Sequence, residues 1–197
     1  MEKITSNCQQ LESLKLTEFC GFHRLHLTSS KCKRQELIEY RYSPDCIEAG
    51  CHYFEVVAPY VQHLKIQVVF DGVKIMLSDL SSLVHADLTY NLYNFYESDE
   101  VIGKSMVKDH LTSVACANEL IIPSLYIEWS PLTFDTTTEQ TELMKYLLEH
   151  AKNLVKLVIV PANHGCSKMI ESLLALPRVS NTTLLVSVEP VADVEYE

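Results

Sequence analysis

Leu11-Glu12-Ser13-Leu14-Lys15-Leu16 is a short L-x-x-L-x-L phrase, and its returns along the chain decide how the rest is read. It comes back as Val61-Gln62-His63-Leu64-Lys65-Ile66, then as Leu83-Val84-His85-Ala86-Asp87-Leu88, and late in the chain as Leu154-Val155-Lys156-Leu157-Val158-Ile159. The second phrase starts 50 residues after the first and the third starts 22 after the second. Such offsets suit structural units of about 22 to 28 residues. Within each phrase the last residues alternate, so Leu14 and Leu16 share one face of a strand while Lys15 takes the other. A single unit of this kind cannot bury its own apolar face, and stacking completes the core.

The stretches between the phrases carry related periodicities. Leu25-His26-Leu27 lies 11 residues beyond Leu14 and Leu16 across a Gly21-containing turn, which predicts a second short strand. Leu37 to Tyr42 reads as a third, with Ile38, Tyr40 and Tyr42 on one side, whereas Cys51 to Ala58 is too mixed to assign. Val73, Ile75 and Leu77 alternate as a strand after the turn signal Asp71-Gly72. Val101, Met106, Val107 and Leu111 fall on one helical face, and Leu120 to Trp129 holds two extended pieces broken at Pro123. In the last third, Leu143, Tyr146, Leu147, His150 and Ala151 form a helical stripe ahead of the strand at Leu157. A helix over Met169 to Leu176 and a strand from Thr183 to Val188 follow. The expected fold is α/β: an irregular leucine-rich repeat solenoid, a partial horseshoe with parallel strands on its concave face. Residues 1–136 would form irregular repeats and 137–197 the last repeats of the same solenoid.

Composition narrows the class. At 197 residues with 47 % hydrophobic and 21 % charged side chains, the chain is a globular candidate. Its formal charge of −10 is uneven: residues 1–41 hold seven Lys/Arg against five Asp/Glu, and residues 42–197 hold nine against twenty-one. An acidic bulk repels a phosphate backbone, so nucleic acid is not expected as a partner. Seven cysteines, an odd number with no C-x-x-C pair, point to free thiols in a reducing cytoplasmic or nuclear compartment. No apolar run reaches the ~20 residues of a membrane span, and no membrane association is expected.

The order of these phrases also resembles a known family. Cys8 to Leu16 with Phe19 to Leu27, Leu80 to Leu88, and Leu147 to Ile159 are similar in turn to the repeats of plant F-box proteins with leucine-rich repeats and to the start of their carboxy-terminal FBD region. The resemblance implies the substrate-recognition part of a cullin-type ubiquitin ligase receptor, non-catalytic and protein-binding. No F-box is recognisable, because the phrases begin by Leu11, and nothing amphipathic precedes Leu11 to cap the stack. The expectation is therefore a fragment, or a repeat module covered by something upstream. Its target protein is unknown, and adaptor and cullin follow only if an F-box lies upstream in a longer parent. The alternative is a regulatory or structural protein-interaction module without a ligase link.

No catalytic constellation, cofactor fingerprint or metal site is expected. Cys51-His52 would place its side chains on opposite faces of a strand, and Cys46, Cys51, His52 and His63 match no compact zinc spacing. Lys31-Cys32-Lys33-Arg34 reads as an anion or nuclear-import contact, or as a solvated turn. The expected protein-contact residues are Lys15, Lys65 and Asp87, pointing outward from their strands, with the aromatics Tyr93, Phe95, Tyr96 and Trp129. The plainer reading of those aromatics is that they cover or plug the core.

Overall fold

The computed structural model describes residues 8–40, 53–69, 74–91, 108–123, 147, 149, 151, 153–160 and 183–186. Among them the four phrases form strands β1 (Ser13–Thr17), β5 (His63–Val69), β7 (His85–Asn91) and β9 (Lys156–Val160). Between and beyond them lie β2 (Arg24–His26), β3 (Arg34–Ile38), β4 (Tyr53–Val57), β6 (Lys74–Ser78), β8 (Glu119–Pro123) and β10 (Thr183–Val186). Every pairing is parallel. Seven strands form one sheet in the order β1-β3-β5-β7-β8-β9-β10, and three form another in the order β2-β4-β6. The first seven strands thus alternate between the two sheets, odd ones to the large sheet and even ones to the small.

The large sheet is held in register from its first residues. The carbonyls of Glu12, Lys33, Gln62, Val84 and Asn118 each accept two successive N–H groups from the strand that follows in the sheet, at 2.7–3.4 Å. This repeated fork aligns the inward positions Leu14, Gln35, Leu64, Ala86, Leu120 and Leu157 in one row across six strands. A second inward row carries Leu16, Leu37, Ile66 and Leu88. From the small sheet Leu25, Val56 and Leu77 form one buried row. Both sets belong to a single core, so the sheets pack against a shared interior. At one end that interior is aromatic: Phe19, Phe22, Tyr40 and Phe54 lie with centroids 5.1–5.6 Å apart, near enough for stacked and edge contacts. Each fully buried Leu or Phe contributes about 1.5–3 kcal/mol over its exposed state.

A short helix, α1 (108–113), seals the small sheet at β6. His110 Nε2–H donates to the Ile75 carbonyl at 2.6 Å and Ser113 Oγ–H to the Leu77 carbonyl at 2.9 Å. The two donors stand three positions apart on the helix, and the acceptors two positions apart on the strand. One helical turn therefore covers two carbonyls at the edge of β6, where an open edge would invite pairing. Cys116 Sγ continues the line to the Leu80 carbonyl, and Lys74 Nζ meets Asp109 Oδ2 at 2.9 Å.

This architecture corrects the expected leucine-rich repeat horseshoe. In a horseshoe one parallel sheet lines the concave side and helices fill the other; here the layer opposite the first strands of the large sheet is a second parallel sheet. Spacing is also uneven. Registered partners stand 21 residues apart between Ser13 and Arg34, 29 between Arg34 and His63, 22 between His63 and His85, 34 between His85 and Glu119, and 37 between Glu119 and Lys156. Among the described residues the fold is α/β, with two separate parallel sheets. The protein-binding module patterned on ligase receptors, and its variant without the ligase link, rested on the repeat solenoid and are corrected with it.

Smaller corrections have local causes. The third strand is Arg34–Ile38 rather than 37–42, because the inward pair is Gln35 and Leu37 and a glutamine stands where the phrase leads one to expect leucine. The unassigned segment is β4, with Phe54 and Val56 inward. Pro123 ends β8 without breaking it: pairing with β7 stops at Ile121, while pairing with β9 runs on to Pro123. Of the helical stripes, Leu111, Leu147 and Ala151 are buried. The expected positions Val101, Met106, Val107, Leu143, Tyr146 and His150, the helix 169–176, and Tyr93, Phe95, Tyr96 and Trp129 lie outside the described residues.

Candidate functional site

Opposite the core, the large sheet turns rows of side chains outward, two of which run across all seven strands. Because adjacent strands lie about 4.8 Å apart, residues in one register row are near neighbours. One row reads Lys15, Glu36, Lys65, Asp87, Ile121, Val158 and Leu185. The other reads Ser13, Arg34, His63, His85, Glu119, Lys156 and Thr183. Lys15, Lys65 and Asp87, expected from sequence as outward contacts, therefore stand in one line, with Glu36 between the two lysines.

Charge in this face is largely paired from strand to strand. Lys15 Nζ lies 3.8 Å from Glu36 Oε2 and Lys65 Nζ 3.7 Å from Asp87 Oδ2, while Thr89 Oγ1–H donates to Asp87 Oδ1 at 2.9 Å. Glu119 Oε2 sits 3.4 Å from His85 Nδ1 and 3.9 Å from Lys156 Nζ. These distances are long and the groups meet solvent, so each pair contributes at most a fraction of a kcal/mol to stability, about 0.2–1. Their role is to set which charges remain uncommitted. Arg34 has no ion-pair partner among the described residues, and the rings of His63 and His85 lie 6.0 Å apart.

Arg34, Gln35, Glu36, His63, Leu64, Lys65, His85 and Asp87 line a shallow open depression of about 190 Å³ across β3, β5 and β7. Its lining contains no hydroxyl or thiol side chain that could serve as a nucleophile. Elsewhere, burial pushes the Cys32 thiol up against the opposing pull of its bond to the Arg34 carbonyl and of Lys33, and burial likewise pushes up Cys116. Among the described residues no group of three or more His, Cys, Asp or Glu could hold a metal ion.

No family model, no curated protein and no solved structure matches this chain. The resemblance to F-box proteins with leucine-rich repeats finds no support there, and the two-sheet architecture contradicts the repeat region it implied.

The basic run 31–34 divides on folding. The Lys31 ammonium donates to Gln10 Oε1, and Lys33 donates to the Tyr60 carbonyl at 3.4 Å while lying 5.9 Å from the Tyr60 ring centroid. Cys32 is in the core, and Arg34 alone of the four joins the depression. Sequence reasoning singled out Lys65 and Asp87 but missed Glu36, His63, His85 and Glu119. A signal for the histidines was present: both occupy the third place of their phrase, Val61-Gln62-His63 and Leu83-Val84-His85, and a third place on parallel strands in equal register becomes a neighbour. Glu36 and Glu119 carried no such mark, since β3 hides its phrase behind Gln35 and β8 was not aligned on its glutamate.

Proposed function

We propose that this chain is a non-catalytic ligand-binding protein whose recognition surface is the outer face of the seven-stranded sheet, centred on β3, β5 and β7. One observation carries the reading: five ionisable side chains besides Arg34, contributed by three strands in register, surround one depression of about 190 Å³ on the outer face of the sheet. A rigid parallel sheet holds such groups at fixed spacing, so the entropy of ordering a binding site is largely spent on folding. A concave site with a few convergent polar groups is what a small polar ligand requires. The lining holds no hydroxyl or thiol, and Glu36, Lys65 and Asp87 are taken up in ion pairs, which supports binding over covalent catalysis. A reducing cytoplasmic or nuclear setting belongs to the same proposal, supported by the cysteine pattern and by free Cys8, Cys20, Cys32 and Cys116.

Two-dimensional NMR of the isotope-labelled full chain with a library of small polar fragments tests this reading. Amide and imidazole shifts are expected to concentrate on Arg34 to Glu36, His63 to Lys65 and His85 to Asp87. Shifts centred on the small sheet, or none on these strands with any fragment, would remove the outer face as the recognition surface.

A further inference from the structure

Resting on that reading, we infer that the depression is an anion site: Arg34, His63 and His85 receive a compact carboxylate or phosphate group, with the remainder of the ligand extending into solvent. The two acids of the lining are already committed, Glu36 to Lys15 at 3.8 Å and Asp87 to Lys65 at 3.7 Å and to the Thr89 hydroxyl at 2.9 Å. A cation entering the depression would have to displace an ammonium from each. An anion displaces nothing at Arg34, whose guanidinium has no ion-pair partner among the described residues, and meets next to it the ring of His63.

The arrangement also fits the shape of an oxyanion. A guanidinium offers parallel N–H donors in a planar fork that matches two oxygens of a carboxylate or phosphate. Each imidazole adds a ring N–H donor, and with ring centroids 6.0 Å apart the two rings are near enough to serve one bound group. Glu119 is the internal competitor, since its Oε2 approaches His85 Nδ1 at 3.4 Å while Lys156, at 3.9 Å, draws it to the far side. Net charge does not oppose the assignment. The excess of acids belongs to residues 42–197, residues 1–41 carry seven basic against five acidic side chains, and Arg34 lies in that basic part. Beyond a Debye length of about 8 Å at physiological ionic strength, distant carboxylates are screened, so a small anion senses the local row where a long polyanion would meet the whole surface.

The test titrates the full chain with inorganic phosphate, sodium acetate and methylammonium chloride at constant low ionic strength, following His63 and His85 ring C–H resonances and Arg34 Nε–H. Phosphate and acetate are expected to shift all three, with affinity falling as salt is added. Arg34→Gln is expected to weaken phosphate binding about tenfold, His63→Gln with His85→Gln by a similar factor, and Glu119→Gln to strengthen it, all with an unchanged melting transition. Binding of phosphate that is indifferent to Arg34→Gln overturns the assignment. If methylammonium shifts the same resonances and neither anion does, the anion site is wrong while the outer face stands as a binding surface. If none of the three probes shifts them, the inference fails, and the fragment library then decides the outer face separately.

Discussion

Gln35 is the residue that fits its surroundings least. It is fully buried, its row neighbours are Leu14 and Leu64, and neither Nε2 nor Oε1 finds a hydrogen-bond partner among the described residues. A buried amide left unsatisfied costs about 1–3 kcal/mol, and an apolar side chain of similar volume recovers it. Gln35→Leu is therefore expected to raise the unfolding free energy by about 1–2 kcal/mol, read as a higher urea midpoint at unchanged slope; a lower midpoint would show that the amide is satisfied. The same residue hid β3, because a glutamine between Arg34 and Glu36 erases the alternation that marks a half-buried strand. Glu39 poses the opposite problem. It follows β3 directly with φ at 55°, and its N–H donates to the Gln67 carbonyl at 2.8 Å, so the left-handed turn is fixed by the sheet. A β-branched side chain is strongly disfavoured there, and Glu39→Val is expected to lose about 1–2 kcal/mol while Glu39→Gly is tolerated. Equal melting temperatures for the two variants would mean the turn relaxes.

At the scale of elements, the join between α1 and β6 depends on a neutral imidazole. His110 is fully buried, and burial lowers its pKa from 6.5 to about 4, outweighing the upward effects of its bond to the Ile75 carbonyl and of Asp109; Lys74 reinforces the lowering. Between those two values the unfolded chain binds the proton that the folded chain refuses. The contribution of His110 is thus complete above about pH 6.5 and is lost as the pH falls toward 4, by roughly 3 kcal/mol. His110→Leu should flatten that part of the stability curve while costing the capped carbonyl of Ile75; an unchanged slope between pH 6.5 and 4 would mean that other groups carry it. Ser113→Ala, which uncaps Leu77, is expected to cost about 1 kcal/mol at every pH. None of this join was readable from sequence. Leu111 marked a helical face, but a histidine on that face has no periodicity of its own, and the strand carbonyls it serves lie 35 residues earlier. The small sheet was legible only in part. Leu25-His26-Leu27 and Val73 to Leu77 alternate as strands should, yet alternation assigns faces and not partners, so nothing in either run tells that β2 and β6 both pair with β4.

Across the whole molecule, the inward rows were the most legible feature and the layer opposite them the least. Leu14, Leu64, Ala86 and Leu157 lie in one row of one sheet because a parallel ladder with the same entry fork on successive strands leaves no freedom of register. Period-two runs look alike whether the opposite layer is helix or sheet, which is why the same phrases suggested a horseshoe. The site followed the same division: outward Lys15, Lys65 and Asp87 were legible from their phrases, while Arg34 and Glu36 required the hidden strand. The common row also makes a sharp test of cooperativity. Leu157 is fully buried in β9, in register with Leu120 of β8 and Leu184 of β10, and a carboxylate there would be an unpaired charge in the shared interior. Burying such a charge costs several kcal/mol, comparable with the 5–15 kcal/mol that hold a domain together. Leu157→Asp is expected to abolish the cooperative melting transition, whereas Val155→Asp, two positions earlier and 57 % exposed, should leave it in place. If β9 and β10 were an accessory to a core complete without them, the Leu157→Asp chain would keep a cooperative transition and native imidazole resonances for His63 and His85; loss of those resonances together with the transition would show that the seven strands melt as one unit.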